Sequence, residues 1–362
     1  MANLQKLLSK LDEKLNYTEG HSIAIHQGLD LVYSTGSGLA RVNPNVPMTS
    51  LMRMDVLSMS KTITAAGVVR QLLVNGLTPE EKIGGHLPNP FPVHSTVANL
   101  TFAHVLTHSG GLSTDTGKTS GPPLEFQGVE QLCFEPPKLP VGQIVYKNCN
   151  YSLLRVLLAY LANADALNGF PSGLFKNLSE ETALMYVNYI QTHILGPSGV
   201  STATVGPTNP DELAKWLVEM GQQAEWFNDN KGHLGDQHDP LSAYLYCGSD
   251  WWNMNVREYG RFIAHLINNK LQPNPWPVMR DTRAPGAPAK LPAYPNGDAR
   301  LGVWRFQAPD GTGNYYGHNG GWSDAFTGWM GFPGGVSVTF FANSPIGAIE
   351  QERMILDSWL AS

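Results

Sequence analysis

Strand-forming segments lie at the two ends of this 362-residue chain, and helix-forming segments fill the stretch between them. Near the N-terminus, residues 21–27 and 31–33 are short apolar runs on either side of Gly28-Leu29-Asp30, a pattern that predicts a β-hairpin. Near the C-terminus, strand signals return over residues 301–306, 328–332 and 336–342. We therefore predict an α+β fold of the α/β-sandwich type, with one antiparallel sheet built from both chain ends and flanked by helices.

The middle of the chain predicts a helical insertion into that sheet. Helical patterns occupy residues 63–73, 100–108, 152–162, 185–195 and 256–268, and a last helix is predicted over 349–360. Seven prolines between residues 273 and 295 exclude a regular element there and indicate a segment that crosses back to the sheet. We predict a sheet domain of residues 1–75 and 270–362, a mostly helical domain of residues 76–269, and an active site between the two.

Charge, hydropathy and cysteine content exclude several classes of function. A net charge of −6 and an isoelectric point near 6.0 argue against binding to nucleic acid or to anionic membranes. No apolar run is long enough to cross a bilayer, and residues 2–15 form an amphipathic leucine stripe rather than a signal peptide. We also expect Cys133, Cys149 and Cys247 to be buried free thiols, so the sequence predicts a cytoplasmic protein.

Metal and cofactor signals are weak. His104 and His108 stand four residues apart without an obvious carboxylate third ligand, so helix capping or packing explains them better than a metal pair. A second candidate is the polar segment 228–240, with Asp229, His233, Asp236, His238 and Asp239. A solvated loop explains that segment better. Gly36-Ser37-Gly38 lacks a phosphate-loop pattern and is expected to be a turn. We expect no metal ion and no cofactor.

Ser58 and Lys61 form the first piece of a candidate catalytic site. They are three residues apart at the start of a helix with few polar residues, so their side chains share one face. Burial disfavours the charged form of a lysine, and a neutral amine accepts the proton of a neighbouring serine hydroxyl. Ser60 lies on another face. By itself a Ser-x-x-Lys pattern is usually accidental, so it needs support from other segments.

Tyr146 and Asn148 form the second piece, a Tyr-x-Asn pattern after a loop rich in proline and glycine. A phenol close to a lysine shuttles protons as phenol or phenolate, and an asparagine amide orients a substrate carbonyl or amide. The alternative is a core tyrosine followed by a turn asparagine.

Residues 317–321 form the third piece, Gly-His-Asn-Gly-Gly, before a strand signal. His318 is suited to donate a hydrogen bond to the substrate or to assist proton transfer near neutral pH. The small residues Gly320 and Gly321 let a substrate approach the backbone, where the N–H groups of Gly321 and Ser58 would form an oxyanion hole. The alternative is a glycine-rich hairpin turn.

Together, the order Ser-x-x-Lys, Tyr-x-Asn, His-x-Gly and the wide spacing resemble the serine β-lactamase and penicillin-binding-protein superfamily. The likeness is closest to the branch of class C β-lactamases, D-Ala-D-Ala carboxypeptidases, family VIII carboxylesterases and D-amino-acid amidases or peptidases. Residues 106–112 are similar to its LTHTSGL segment, 146–154 to YSNxNYxLL and 316–321 to YGHxGG. The resemblance covers about residues 20–345.

The resemblance implies that Ser58 is the acylated nucleophile, that Lys61 activates it, and that Tyr146 is a general base or proton shuttle. It also implies that Asn148 orients the substrate and that the amides of Ser58 and Gly321 form the oxyanion hole.

The chain departs from typical β-lactamases at His318. There the β-lactamases carry a lysine in Lys-Thr-Gly or Lys-Ser-Gly, and that lysine attracts a substrate carboxylate. Histidine at this place is commoner among the esterases and peptidases of the branch, which argues against potent β-lactamase activity.

Three functions remain open. The first is a serine hydrolase that acts on a small-molecule ester, amide or peptide through an acyl-Ser58 intermediate. The second is an acyltransferase that passes the same acyl group to an alcohol or amine. The third is a non-catalytic binding protein, which the joint presence of Ser58, Lys61, Tyr146 and Asn148 disfavours. Aromatic residues in segments 113–140 and 225–253 suggest an apolar or aromatic acyl or leaving group.

Overall fold

The computed structural model describes residues 3–89, 91–114, 125–168, 175–201, 203, 205, 223–227, 243–286, 297–307, 313–346 and 351–362. The polar segment 228–240 lies outside the described residues.

Two antiparallel sheets contain the strands. The strands of the large sheet are β1 (Gly20–Gln27), β2 (Asp30–Val42), β3 (Asn45–Pro47), β6 (Gly297–Arg300), β7 (Val303–Gln307), β8 (Asn314–Trp322), β9 (Ala325–Phe332) and β10 (Val336–Ala342). Their order across the sheet is β3-β2-β1-β10-β9-β8-β7-β6. The small sheet pairs β4 (Arg53–Asp55) with β5 (Asn253–Asn255).

Helices fill the middle of the chain and flank the large sheet. They are α1 (Leu4–Leu15), α2 (Ser60–Val74), α3 (Ser95–Ala98), α4 (Phe102–Leu106), α5 (Phe126–Phe134), α6 (Asn148–Asn168), α7 (Phe175–Ile190), α8 (Ala243–Tyr246), α9 (Val256–Ile267), α10 (Trp276–Asp281) and α11 (Gln351–Leu360). No helix in the described ranges is long and apolar enough to cross a membrane.

The two ends of the chain meet in the large sheet. Strand β1 pairs antiparallel with β10, from His21 opposite Ala342 to Gln27 opposite Val336. The predicted α+β fold, with an antiparallel sheet built from both chain ends, is confirmed. The division into a sheet domain and a helical domain stays a prediction.

Alternate residues of the central strands contribute to two cores. Ile23 and Ile25 of β1 join Val338 of β10 in a core that includes the buried leucines of α1 and apolar residues of α11. Ala24 belongs to the larger core, with residues of α2, α6 and α9. Because successive side chains of a strand point to opposite faces, helices on both sides leave every residue of β10 buried.

Two sequence predictions were wrong, each for a local reason. Residues 36–38 are not a turn but lie within β2, where a Cβ at Gly36 would stand 2.5 Å from Thr49 Cα. The glycine therefore permits close packing within the strand rather than a reversal of the chain. The proline-rich segment contains the six-residue helix α10, with Pro277 in its first turn, where a helix needs no N–H donor.

The predicted character of the cysteines is confirmed, since Cys133, Cys149 and Cys247 are all buried and form no disulfide. Burial raises the pKa of the Cys133 and Cys247 thiols to about 12, so both are protonated near neutral pH.

His26 makes the stability of the fold sensitive to acid. It is 2% exposed on β1, and burial, followed by the charges of His265, Arg261 and Arg257, lowers its pKa from 6.5 to about 4. Between pH 6.5 and pH 4, the unfolded chain therefore takes up a proton that the folded protein does not. We expect His26 to lower the free energy of unfolding by up to about 3 kcal/mol across that window, and to have no such effect above it.

Urea unfolding of the wild type and of His26→Gln between pH 7 and pH 4 measures this contribution. The difference between the two proteins isolates His26 from the other histidines. Identical slopes of unfolding free energy against pH would contradict the prediction.

Candidate active site

Ser58 lies in a tight turn, Leu57–Met59, that runs directly into α2. The serine is half-buried, whereas the first ten residues of α2, from Ser60 to Val69, are all buried. A helix that is enclosed on nearly all sides lies inside the protein, and the turn at its N-terminal end presents the serine hydroxyl at the border of the core.

Lys61 is the buried partner of Ser58. Its Nζ lies 2.8 Å from Ser58 Oγ and donates to the carbonyl oxygen of Ser249 at 2.9 Å, and its side chain is fully buried. Burial lowers the pKa of Lys61 to about 8, while the negative charges of Asp250 and Asp55 act in the opposite direction. The predicted neighbours are therefore together, and a substantial fraction of this amine is neutral at mildly alkaline pH.

Tyr146 completes a triangle with Ser58 and Lys61. Its hydroxyl makes a hydrogen bond with the Ser58 side chain, and Lys61 Nζ lies 5.0 Å from the centre of its ring. The imidazole of His108 packs on the same ring at a centroid distance of 4.4 Å. Burial raises the pKa of Tyr146 well above its ordinary value, and the Ser58 hydrogen bond opposes this only in part. The phenol is therefore protonated near neutral pH.

Asn148 begins α6, two residues after Tyr146, and is buried. One turn further, Tyr151 donates to the carbonyl oxygen of Leu106 at 2.9 Å, and its ring centre lies 5.8 Å from Lys61 Nζ. The start of α6 thus lies against the same lysine as the Leu57–Met59 turn.

His318 lies inside β8 and is neutral. It is 2% exposed, and its ring stacks on Trp304 at a centroid distance of 5.8 Å, 6.4 Å from the ring of Tyr146. Burial, together with the charge of Lys61, lowers its pKa to about 3. Its Nδ1 lies 2.6 Å from the carbonyl oxygen of Asn319. Because a carbonyl only accepts, Nδ1 is the protonated nitrogen, and Nε2 is left as an acceptor.

Gly320 allows β8 to pass close to the Leu57–Met59 turn. A Cβ at this position would lie 2.4 Å from Thr327 Oγ1, 2.7 Å from Leu57 Cβ and 2.9 Å from the carbonyl oxygen of Val56. Thr327 Oγ1 also donates to Val56 O at 3.0 Å, which ties β9 to the same turn. At Gly321 the nearest atom would be 3.5 Å away, so that position has room for a methyl group.

We expect Gly320→Ala to lower kcat/KM for an activated ester by about 100-fold, because the added methyl must push β8 away from the Ser58 turn. It should also lower the free energy of unfolding by about 1–3 kcal/mol, the usual cost of overpacking. Gly85→Ala is the control, since Gly85 lies outside the site and a Cβ there would meet no atom within 4 Å. Steady-state kinetics and urea unfolding of both variants test this, and equal losses in the two would contradict it.

The two histidines considered as a metal pair have separate structural roles. His104 caps α4, where its Nδ1 accepts from the backbone N–H of Thr101 at 3.2 Å. His108 accepts at Nδ1 from the backbone N–H of Lys147 at 3.3 Å while it packs on Tyr146. Within the part of the chain that the structure describes, no group of three His, Cys, Asp or Glu side chains is placed to hold a metal ion.

Sequence reasoning assigned no role to several residues that contact this site. Ser249 accepts from Lys61, Asp250 and Asp55 act on its charge, and Trp304 stacks on His318. Ser249, Asp250 and Trp304 lie far from Ser58 and Lys61 in the sequence, and Asp55, although only three residues before Ser58, belongs to no recognisable local motif. Most of the aromatic residues proposed to shape a pocket are core residues: Phe126, Trp226, Phe227, Tyr244 and Trp252 are buried. Phe134 is exposed.

Solved structures of β-lactamases and penicillin-binding proteins share this fold. The octameric penicillin-binding protein homologue from Pyrococcus abyssi has a TM-score of 0.71 at 18% identity, covering 98% of this chain and 76% of its own. The class C beta-lactamase from Rhodobacter sphaeroides has a TM-score of 0.69 at 14% identity, and the match covers 99% of this chain and 98% of the β-lactamase. The beta-lactamase/D-alanine carboxypeptidase from Pseudomonas syringae has a TM-score of 0.69 at 16% identity, and the match covers 99% of this chain and 97% of that protein. No curated protein sequence matches the chain significantly.

The fold is therefore that of the penicillin-binding proteins and serine β-lactamases. The sequence profile of the beta-lactamase family matches residues 8–352, and the chain belongs to this family. Its members are serine hydrolases of the β-lactamase and penicillin-binding-protein type.

Proposed function

We propose that the protein hydrolyses carboxylic esters or amides through an acyl intermediate on Ser58. The observation that carries the proposal is the fully buried Lys61 amine, which lies 2.8 Å from Ser58 Oγ with a pKa lowered to about 8. Such an amine is neutral often enough to accept the serine proton, and the half-buried hydroxyl is accessible to a substrate.

In the proposed acylation, Ser58 Oγ attacks the substrate carbonyl carbon while its proton passes to neutral Lys61. The carbonyl oxygen becomes an oxyanion that accepts hydrogen bonds from the backbone N–H groups of Ser58 and Gly321. Support for this pair comes from Gly320, which brings β8 into contact with the Ser58 turn. Asn148, buried at the start of α6, is the proposed group that orients the substrate.

Tyr146 is proposed as the proton shuttle between Lys61 and the leaving group. Its raised pKa favours the protonated phenol, which donates to the departing alkoxide or amine as the bond to the acyl carbon breaks and recovers a proton from the Lys61 ammonium. In deacylation a water attacks the acyl carbon, its proton moves to the same pair, and the Ser58 oxygen leaves with a proton. Lys61 and Tyr146 thus return to their starting states.

The proposed substrates lack a carboxylate beside the scissile bond. His318 is neutral where typical β-lactamases have a lysine, and the carboxylates of Asp55 and Asp250 raise the negative charge around Lys61. Penicillins carry a carboxylate, so they are expected to be slow substrates at best, and neutral esters better ones.

An acyltransferase activity uses the same acyl intermediate. Lys61 and Tyr146 can take a proton from an alcohol or an amine in the same way as from water, so the acceptor that reaches the site decides the outcome. The proposal of hydrolysis and the alternative of transfer therefore differ only in the second step.

Covalent labelling tests the first step. The wild type is incubated with a fluorophosphonate and, separately, with a penicillin; intact-mass analysis is expected to show one added label with the fluorophosphonate and slower labelling with the penicillin, and peptide mapping to place the label on Ser58. No label with either reagent would favour the non-catalytic binding protein. Turnover of p-nitrophenyl acetate and butyrate, with and without an added alcohol or amine, then distinguishes hydrolysis from acyl transfer. A transferase gives the new ester or amide in excess of the free acid.

A further inference from the structure

Two bulky residues next to the catalytic lysine and serine have left-handed backbone conformations. Leu57, which immediately precedes Ser58, has φ of 52°, and Trp251, which follows Ser249 and Asp250, has φ of 79°. In this region Cβ lies too close to the backbone, so residues other than glycine adopt it at a cost in free energy. Such strain persists only where surrounding contacts maintain it.

A single carboxylate oxygen contacts both strained residues. Asp55 Oδ1 accepts from the backbone N–H of Leu57 at 2.7 Å and from that of Trp251 at 3.2 Å. Asp55 is 4% exposed and ends β4, where it pairs with Asn253 of β5. The carboxylate therefore joins the nucleophile turn to a segment 196 residues further along the chain.

That second segment carries the hydrogen-bond acceptor of the catalytic lysine. Ser249 O accepts from Lys61 Nζ at 2.9 Å, two residues before Trp251. A movement of Trp251 would therefore displace this carbonyl, just as a movement of Leu57 would displace Ser58. Asp55 contacts Leu57, the residue next to Ser58, and Trp251, in the segment that holds the amine of Lys61.

Other contacts hold the nucleophile turn at different atoms. Val56 N donates to Trp252 O at 2.8 Å, and Tyr259 donates to Met59 O at 3.0 Å. These bonds attach the turn to the core on either side of Leu57, but the Leu57 N–H itself is bound by Asp55. The strained residue thus has its own hydrogen-bond acceptor.

We propose that Asp55 is a positioning residue, whose carboxylate holds Leu57 and Trp251 in their strained conformations and so aligns Ser58 with Lys61. The role rests on the proposed acyl-Ser58 chemistry, and Asp55 acts through these two residues without touching the substrate. Its negative charge has a second effect, because it raises the pKa of Lys61 against the influence of burial.

Four variants separate alignment from charge: Asp55→Ala, Asp55→Asn, Leu57→Gly and the double variant Asp55→Ala/Leu57→Gly. Asp55→Ala should slow fluorophosphonate labelling and lower kcat for p-nitrophenyl butyrate by about 100-fold, with KM nearly unchanged, because the nucleophile is misaligned. Glycine adopts positive φ without strain, so the double variant should recover at least about tenfold over Asp55→Ala. Leu57→Gly alone is the control for the lost leucine side chain.

Asp55→Asn keeps an oxygen that can accept from both backbone N–H groups but removes the charge. Its kcat should stay within about tenfold of the wild type, while the acid limb of the pH–rate profile moves to lower pH, because loss of the negative charge lowers the pKa of Lys61. The other titratable groups facing Lys61 are unchanged in this variant: Asp250, His108, Tyr146, Tyr151 and His318.

The outcomes distinguish this inference from the proposed function. A wild type that takes no label refutes the acyl-Ser58 chemistry, and the positioning role with it. A labelled wild type with Asp55→Ala reacting at the same rate refutes the positioning role alone. A second set of results also refutes the positioning role alone. In that set, the activity of Asp55→Ala falls in proportion to its melting temperature, Leu57→Gly does not restore the activity, and Asp55→Asn keeps the wild-type pH–rate profile.

Discussion

Ser58→Ala is expected to lower kcat/KM for p-nitrophenyl butyrate by about 10⁴-fold or more and to abolish labelling by a fluorophosphonate. The alanine variant lacks the oxygen that would form the acyl bond, and Lys61 and Tyr146 then have no nucleophile to activate. Steady-state kinetics measure the loss of kcat/KM. Intact-mass analysis of quenched reactions measures the loss of labelling and distinguishes it from slow acylation of surface groups. Because Ser58 is only half-buried, we expect little change in the melting temperature.

Ser60→Ala is the matched control. Ser60 is two residues away and fully buried, and its Oγ accepts a long hydrogen bond, 3.4 Å, from the backbone N–H of Trp252. Its loss should cost about 1 kcal/mol of stability and less than tenfold in rate. A label that persists in Ser58→Ala but disappears in Ser60→Ala would overturn the assignment of the nucleophile.

Lys61→Arg is expected to lower kcat/KM by about 10³-fold at pH 9–10, where the wild-type amine is mostly neutral, and to abolish the rise of the rate through pH 8. Guanidinium stays protonated throughout this range and cannot accept the serine proton, whereas the lysine amine becomes neutral as the pH rises through about 8. The wild-type rate should therefore increase with pH until most of the amine is neutral. The pKa of Lys61 is lowered from its ordinary value, so this acid limb lies well below pH 10.5.

A pH–rate profile of the wild type, of Lys61→Arg and of Lys82→Arg tests the prediction. Lys82 is exposed and donates to Asn99 at 2.8 Å, so its replacement by arginine should leave both the rate and the profile unchanged. Near-native activity of Lys61→Arg would refute the role of a neutral lysine.

Local patterns in the sequence predicted most of the elements and the first contact of the site. The helix period brings Lys61 next to Ser58, and the strand signals at both chain ends anticipated the pairing of β1 with β10. Helix boundaries were less accurate. Helix α6 begins at Asn148 rather than near residue 152, because the Tyr-x-Asn pattern lies at the junction of the loop and the helix.

The turn predicted at residues 36–38 shows where such patterns fail. Glycine is permitted in a turn, but it is also required where two backbones approach closely, and the sequence does not distinguish the two uses. At Gly36 the neighbour is Thr49, which local periodicity does not place. The same ambiguity applied to Gly320, which faces Thr327 of the next strand but also packs against Leu57 of a distant segment.

The sequence by itself determined which reactive groups are close along the chain: a serine and a lysine on one helical face, and a tyrosine and an asparagine at the start of another. Only the tertiary structure decided their charge states. Lys61 is fully buried and donates to the carbonyl oxygen of Ser249, 188 residues further along the chain. His318 is also buried, and its ring stacks on Trp304. A pKa depends on solvent exclusion and on charges supplied by remote segments, so residue spacing along the chain does not contain it.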